Sequence, residues 1–108
     1  MGQFDQLERL ANNIATKSSA SPDTSYTAKL ISKGVAECAK KFGEEAVELV
    51  LASVSNDKHE TTAEAADVLY HFLVLLQAAG VSPDAVMAEL KRREGTGGLV
   101  EKAARTHD

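Results

Sequence analysis

The sequence predicts an all-α fold, a helical bundle of about five helices with a central antiparallel helix pair, completed by dimerisation. Apolar residues recur at helical spacing along most of the chain, and no segment alternates polar and apolar residues beside a hairpin turn. With 108 residues, the chain is long enough for one domain with a single core and too short for two. We therefore expect a single all-α domain over residues 1–108, in which 95–108 form a flexible tail with a short helix.

The predicted helices are separated by recognisable breaks. Pro22 lies in a loop rich in turn-forming residues, and Ser25 after it is a suitable N-cap for the second helix. Gly80 is well placed to end the longest helix, and Ser82 with Pro83 opens the next one. The helices are predicted over residues 3–17, 26–33, 35–55, 58–79, 83–93 and 99–105.

Charge and cysteine content exclude several classes of protein. A net charge of −4 and a pI near 5.3 give no general attraction to nucleic acid or to a membrane surface, so neither is an expected partner. The longest apolar run, residues 72–76, is too short to span a bilayer, and the N-terminus lacks a secretory signal pattern. Cys38 is the single cysteine, which excludes an internal disulfide and favours a small core residue. We expect a soluble, cytoplasmic protein.

Four carboxylates on the two long helices form the main candidate site. Glu45 and Glu48 lie three residues apart on the first of these helices. Glu64 and Asp67 have the same spacing on the second, so each pair shares one helical face. Between residues 61 and 76 these two are the only formal charges, on a helix that is apolar nearly all round and therefore buried. An antiparallel hairpin brings the two pairs face to face, where a cation must offset their charge.

We expect this cluster to bind Mg²⁺, with Mn²⁺ as a substitute, because oxygen-only ligands suit hard cations. A di-iron site would need Glu-x-x-His pairs, which do not occur at these positions. The alternative is a set of structural salt bridges, in which Lys40 pairs with Glu44 and Lys41 with Glu45 at four-residue spacing. The opposite, apolar side of this helix is predicted to comprise Val35, Ala39, Phe42, Ala46, Leu49 and Val50.

Other side chains near the cluster are candidates for supporting roles. His71 falls within roughly 60° of Glu64 and Asp67 around the helix, so it would orient a carboxylate or a water molecule unless it is an ordinary hydrogen-bonded core residue. Glu44 would orient a water molecule or complete the metal shell, unless it only pairs with Lys40 at the surface. The candidate substrate contacts are Tyr26, Lys29, Lys40, Lys41, Arg93, Lys102 and Arg105. The alternative for the lysines and arginines is that they form solvated helix ends, and the alternative for Tyr26 is that it simply packs against its neighbours.

These motifs resemble those of a known family. The two acidic pairs, by their order and spacing, resemble the signature of the all-α nucleoside triphosphate pyrophosphatases. Within that group, residues 4–105 are similar to the phosphoribosyl-ATP pyrophosphatases of histidine biosynthesis. Cys38 departs from the family pattern, in which we expect an aliphatic residue. The matching segments are 25–30, 40–46, 64–71, 89–93 and 98–105.

The resemblance implies a reaction and an assembly. It implies that a magnesium-dependent homodimer hydrolyses the α–β phosphoanhydride of phosphoribosyl-ATP, giving phosphoribosyl-AMP and pyrophosphate. It also implies that the four carboxylates bind the metal and that Glu44 and Glu45 take part in catalysis. Three alternatives stay open: a house-cleaning pyrophosphatase for ordinary or damaged nucleoside triphosphates, a helical interaction module whose acids are salt-bridged, and a catalytically retired regulator.

Overall fold

The computed structural model describes residues 2–95 and 97–105, and these residues form six α-helices and no strand. The all-α prediction is therefore confirmed for the described part of the chain. Met1, Thr96 and residues 106–108, the end of the predicted tail, lie outside the described residues. The helices are α1 (Asp5–Lys17), α2 (Tyr26–Ser32), α3 (Val35–Val54), α4 (Lys58–Ala79), α5 (Pro83–Arg93) and α6 (Gly98–Ala104).

Most helix ends form where the sequence predicts them. The hydroxyl oxygens of Ser25 and Ser82 each accept a hydrogen bond of 3.1 Å from the backbone N–H three residues further along the chain. Gly80 ends α4 with a φ of 74°, a left-handed conformation that glycine adopts without steric cost because it has no Cβ. α1 begins at Asp5 rather than at residue 3, and α6 begins at Gly98 rather than at residue 99.

α3 and α4 form the central antiparallel pair that the sequence predicts. The short connection of residues 55–57 reverses the chain, and Asn56 takes a φ of 61°, which asparagine tolerates better than most residues. Phe42 of α3 then meets Phe72 of α4, with ring centroids 6.3 Å apart. Because α1 and α2 also pack against α4, this helix lies at the centre of the bundle.

The fully buried core is small and lies where the first four helices meet. Its buried apolar cluster comprises Ile14, Leu30, Cys38, Leu73 and Val74. Cys38 is 1% exposed, and its thiol donates a hydrogen bond to the backbone carbonyl oxygen of Leu30 at 3.3 Å. Burial raises the pKa of this thiol, and the charge of Glu37 raises it further. Cys38 is therefore a core residue, as predicted.

The predicted apolar face of α3 is only partly correct. Val35, Ala39 and Val50, which were expected to face inward, are exposed, and Val50 belongs to an apolar stripe on the outer side of the helix. The reason is that α3 has apolar residues on two sides, so periodicity alone does not orient it. The inner face runs through Cys38, Phe42, Glu45, Leu49 and Ala52, all buried or half-buried. The outer apolar stripe comprises Val47, Val50, Leu51 and Val54, which are 56–80% exposed.

α5 and α6 extend from this bundle. α5 lies beside α1 and α4 along an open groove of about 380 Å³, lined mainly by apolar side chains such as Leu7, Phe72 and Met87. On α6, Leu99 is 86% exposed. No single helix among the described residues is long and apolar enough to cross a membrane, and α4 and α5 meet that criterion only as a pair bent by 107°. Dimerisation stays a prediction.

Candidate metal centre

Three of the four predicted ligands come together between α3 and α4. Glu45 on α3, and Glu64 and Asp67 on α4, each offer a carboxylate oxygen, and these three oxygens lie within 4.8 Å of one another. The antiparallel packing causes this, since it places the inner face of α3 against the acidic face of α4. Glu48 is exposed and stands outside the group of three, although its charge still acts on Glu64.

Within this cluster, the surroundings of Glu64 disfavour the ionised form of its carboxyl group. Shielding from water raises the pKa of its carboxyl group, and the neighbouring charges of Glu45, Asp67, Glu48 and then Glu60 raise it further. Its Oε2 atom is closed off from solvent and accepts no hydrogen bond from any described residue. A shielded carboxylate oxygen of this kind calls for a cationic partner.

A lysine or arginine does not supply that partner. In the part of the chain that the structure describes, no lysine or arginine forms an ion pair with Glu45, Glu64 or Asp67. The donor set is therefore three carboxylates on two helices, one of them with an orphaned oxygen. Such a set fits a hard, oxygen-preferring divalent cation such as Mg²⁺ or Mn²⁺. This geometry also counts against the alternative of purely structural salt bridges.

His71 lies next to the cluster on α4. The side chain is buried, with 6% exposure, and its Nδ1 atom has no hydrogen-bond partner among the described residues. Burial lowers the pKa of the imidazole most, Lys41 lowers it as well, and the charges of Glu45 and Asp67 oppose this. The predicted proximity of His71 to the acidic residues is therefore present, and the imidazole is held largely in its neutral form.

Lys41 lies on α3, one turn before Glu45. Its ammonium group pairs with Glu44 at 3.3 Å, so the pairings expected from four-residue spacing, Lys41 with Glu45 and Lys40 with Glu44, are wrong. The spacing is three residues instead, because Glu45 points inward to the cluster. The hydrogen bond and charge of Glu44 raise the pKa of Lys41 most, and Tyr26 is close enough to raise it further. Lys29 and Lys40 are both exposed.

Two residues at this edge carry interactions that the sequence reading missed. The hydroxyl groups of Thr27 and Tyr70 lie 2.6 Å apart and join α2 to α4. The ring of Tyr70 also stacks on Tyr26, with centroids 6.5 Å apart and an angle of 16° between the planes. Thr27 and Tyr70 lie in two of the segments that resemble the family, 25–30 and 64–71, but nothing in the sequence indicated that they meet.

The C-terminal basic residues lie on α5 and in the α6 region, after the end of α4. Asp67 lies in the middle of α4, and α5 begins only after α4 has ended and the chain has bent by 107°. On α5, the guanidinium of Arg93 donates to Glu89 at 2.9 Å, and the two arginines at the end of this helix lower the pKa of Glu89 to about 2. Lys102 and Arg105 are exposed side chains of the α6 region.

Comparison with known proteins decides the family. A family profile described as phosphoribosyl-ATP pyrophosphohydrolase matches residues 7–94. The chain is 54% identical over 99 residues to a protein of Cereibacter sphaeroides named phosphoribosyl-ATP pyrophosphatase, covering 92% of this chain and 96% of that one. The chain belongs to the phosphoribosyl-ATP pyrophosphohydrolase family. Proteins of the same name from Methylobacterium radiotolerans (58% identity, 92% of each chain) and Parvibaculum lavamentivorans (56%, 93% and 92%) agree.

Membership of the phosphoribosyl-ATP pyrophosphohydrolase family confirms the resemblance that the sequence motifs carry. It also confirms the prediction that the chain is an enzyme, a hydrolase of a phosphoanhydride. The carboxylates of the cluster lie inside the matched segment, whereas Lys102 and Arg105 lie beyond its end.

Proposed function

We propose that this chain hydrolyses the α–β phosphoanhydride of phosphoribosyl-ATP in a magnesium-dependent reaction of histidine biosynthesis, releasing phosphoribosyl-AMP and pyrophosphate. The family and the names of its relatives support the substrate. The observation that carries the metal dependence is the trio of carboxylates within 4.8 Å, one of which has a shielded oxygen without a hydrogen bond. Three like charges at this separation need a counter-ion, and the substrate is itself a polyanion that needs one.

Glu45, Glu64 and Asp67 would hold the cation, with Glu48 as the fourth ligand once its exposed side chain turns towards the group. Bound there, Mg²⁺ supplies charge neutralisation on the phosphate oxygens and makes a coordinated water more acidic. No residue of the site is placed as a covalent nucleophile, since Cys38 is buried in the core. Water is therefore the attacking group.

Glu44 and Glu45 would have different roles in activating this water. Glu45 points into the cluster and fixes the cation, whereas Glu44 is held at its edge by Lys41 at 3.3 Å. A carboxylate so held can orient the water and take up its proton as the new P–O bond forms. His71, neutral and buried beside the ligands, would orient a carboxylate or water by hydrogen bonding.

Basic residues would bind the phosphate groups. Lys41 is the best placed because it pairs with Glu44, next to the ligand Glu45. Lys40 beside it on α3 and Lys29 on α2 are exposed and would add further positive charge. Tyr26 would contact the base or ribose. Arg93 would bind phosphate from the end of α5, whereas Lys102 and Arg105 would contribute if the tail folds over bound substrate, and substrate should then slow hydrogen exchange over residues 99–105. Unchanged exchange there would remove Lys102 and Arg105 from the site.

The outer apolar stripe of α3 supports the proposed homodimer. Its four side chains, defined above, are 56–80% exposed and form a continuous row at helical spacing. A second copy of the same chain can cover such a row by a symmetric contact, in which the stripe meets itself. We expect the homodimer to work in the cytoplasm, where the biosynthesis of an amino acid takes place.

The test of this function is a comparison of substrates. Pyrophosphate release is measured from phosphoribosyl-ATP, ATP and dUTP, each with Mg²⁺ and with the metal removed by a chelator. We expect release from phosphoribosyl-ATP far above that from the other two, and only with the metal. Release from ATP or dUTP alone would instead assign the chain to a house-cleaning role, and no release from any of them would leave only the interaction module or the retired regulator.

A further inference from the structure

The contacts of Tyr70 reach beyond what core packing requires. Its hydroxyl group lies 2.6 Å from that of Thr27, at the first turn of α2, and its ring stacks against Tyr26, the residue before. The same ring meets the His71 imidazole edge-on, with centroids 5.0 Å apart. One half-buried side chain of α4 therefore contacts the two residues that begin α2 and the histidine beside the carboxylate cluster.

Tyr26 is fixed and yet accessible. Its side chain is 57% exposed, although one face of its ring is stacked on Tyr70 within the range of favourable aromatic pairs. The N-cap bond from the Ala28 N–H to the Ser25 hydroxyl fixes the backbone on either side of Tyr26. An exposed aromatic ring held from behind offers a flat, apolar face of the kind on which nucleobases stack.

The position of this ring relative to the cluster makes it useful. Tyr70, on which the Tyr26 ring stacks, meets His71, and His71 lies one turn after the ligand Asp67 on α4. The exposed ring, the Tyr70–His71 pair and the carboxylates therefore follow one another from the start of α2 along α4. That order matches a nucleotide, with its base at one end and its phosphate groups at the other.

We infer that Tyr70 is a positioning residue, which through its stacking on Tyr26 and its hydroxyl contact with Thr27 holds the Tyr26 ring beside the cluster as the platform for the purine of the substrate. The inference rests on the proposed function and adds to it a role for two residues, Thr27 and Tyr70. The loss of the Tyr70 hydroxyl would leave both rings present but free the start of α2 to move. Ground-state binding of the nucleotide would then suffer more than the chemical step.

The experiment is a double-mutant cycle with separate measurement of kcat and KM for phosphoribosyl-ATP. Tyr70→Phe and Thr27→Val each remove one partner of the hydroxyl contact, and both should raise KM several-fold with kcat within two-fold of wild type. Tyr26→Leu should raise KM at least as much. In Tyr26→Leu/Tyr70→Phe the second change should add nothing, because Tyr70 acts through Tyr26. Thr16→Val, an exposed site on α1, is the control and should leave both constants unchanged.

Full additivity of Tyr26→Leu and Tyr70→Phe, or an unchanged KM in both Tyr70→Phe and Thr27→Val, would overturn the inference. A loss of thermal stability without any change in KM is the result of a merely structural contact, and it would overturn the inference as well. If wild type fails to hydrolyse phosphoribosyl-ATP, the proposed function is wrong. The role of Tyr70 and Tyr26 in nucleotide binding is then tested separately by a binding measurement.

That measurement uses tyrosine fluorescence, because the chain has two tyrosines and no tryptophan. Titration of wild type with α,β-methylene-ATP should change the emission in a saturable way, whereas pyrophosphate, which has no base, should not. The midpoint should move several-fold higher in Thr27→Val, and the response should disappear in Tyr26→Leu. An equal response to pyrophosphate, or an unchanged midpoint in Thr27→Val, would contradict the platform.

Discussion

A carboxylate oxygen of Glu45 lies within 4.8 Å of a carboxylate oxygen of Glu64, across the contact between α3 and α4. Neither residue forms an ion pair with a lysine or arginine in the described part of the chain. Two like charges held this close by packing destabilise the folded protein unless a cation binds between them. The consequences of this arrangement can be measured in stability as well as in activity.

Removing the charge of Glu64 should stabilise the metal-free protein. The pKa of this carboxyl is raised, so its protonated form favours the fold at low pH, and that contribution is lost as the pH rises through the raised pKa. At neutral pH, Glu64→Gln should therefore melt at a higher temperature than wild type in a chelator, and the difference should shrink as the pH falls below the ordinary carboxyl value of 4.5. Mg²⁺ should stabilise wild type and leave the variant unchanged.

Glu8→Gln is the matched control for this experiment. Glu8 is exposed and lies in the first turn of α1, where a negative charge favours the helix dipole, so its removal should lower stability rather than raise it. An equal effect of Mg²⁺ on wild type and on Glu64→Gln would mean that the ion binds somewhere else.

The four predicted ligands should differ in importance. Glu48 is exposed and outside the group of three, so Glu48→Gln should weaken metal binding without abolishing it. We expect the Mg²⁺ concentration for half-maximal activity to rise by roughly 10-fold, the scale for residues that support ligands. Asp67→Asn should abolish activity at any attainable Mg²⁺ concentration. Loss of all activity in Glu48→Gln would make it a full member of the site.

The outer apolar stripe of α3 should be the dimer contact. A charge in Leu51→Asp would have to be desolvated by the second copy, so sedimentation should find the variant as a monomer where wild type is a dimer. Val81→Asp adds a charge at an exposed apolar position outside the stripe, in the α4–α5 connection, and should stay dimeric. A wild-type chain that sediments as a monomer at all concentrations would refute the dimer itself.

Gly43 gives a second test of the same contact. A Cβ built at this mid-helix glycine of α3 would meet nothing within 4 Å in its own chain. On helix propensity alone, Gly43→Ala should stabilise the fold by up to about 1 kcal/mol. If the second copy packs closely on this part of α3, the methyl group should instead weaken the dimer, seen as a raised dissociation constant. Stabilisation with unchanged dimer affinity would place the contact elsewhere on the helix.

Acid should remove a stabilising contact at the end of α5. Arg92 and Arg93 hold the pKa of Glu89 at about 2, so this contribution is present above the ordinary value of 4.5 and is lost as the pH falls through about 2. The melting temperature of wild type should exceed that of Glu89→Gln by a small margin at pH 6, because the contact is partly exposed, and the margin should vanish near pH 2. If wild type still melts at a higher temperature than Glu89→Gln near pH 2, the ionised Glu89 carboxylate is not the cause of the difference.

Much of the fold could be predicted from the sequence because its signals are local. Ser25, Ser82 and Gly80 act within one turn of their helix, and they set helix ends wherever they occur. The face of α3 could not be predicted, because its outer apolar stripe and its inner face carry the same type of residue. A pattern of apolar residues does not distinguish a surface that its own chain covers from one that remains open.

The candidate site was predicted in its centre and not at its edge. Glu64 and Asp67 stood out because no other formal charge lies on their stretch of α4, and packing with α3 then selected Glu45 over Glu48. The Thr27–Tyr70 contact joins residues that are distant in the chain, and neither is of an unusual type for its helix. Contacts of this kind depend on how α2 packs against α4, which spacing does not specify.

The most direct measurement of the central claim is the Mg²⁺ dependence of pyrophosphate release from phosphoribosyl-ATP by wild type and by Glu64→Gln. Both proteins are assayed at saturating substrate, after circular dichroism has established that the variant is folded. We predict that wild type releases pyrophosphate only with Mg²⁺ and that Glu64→Gln releases none above background at any Mg²⁺ concentration. Metal-dependent release by Glu64→Gln at the wild-type rate would contradict the assignment of this cluster as the catalytic metal centre.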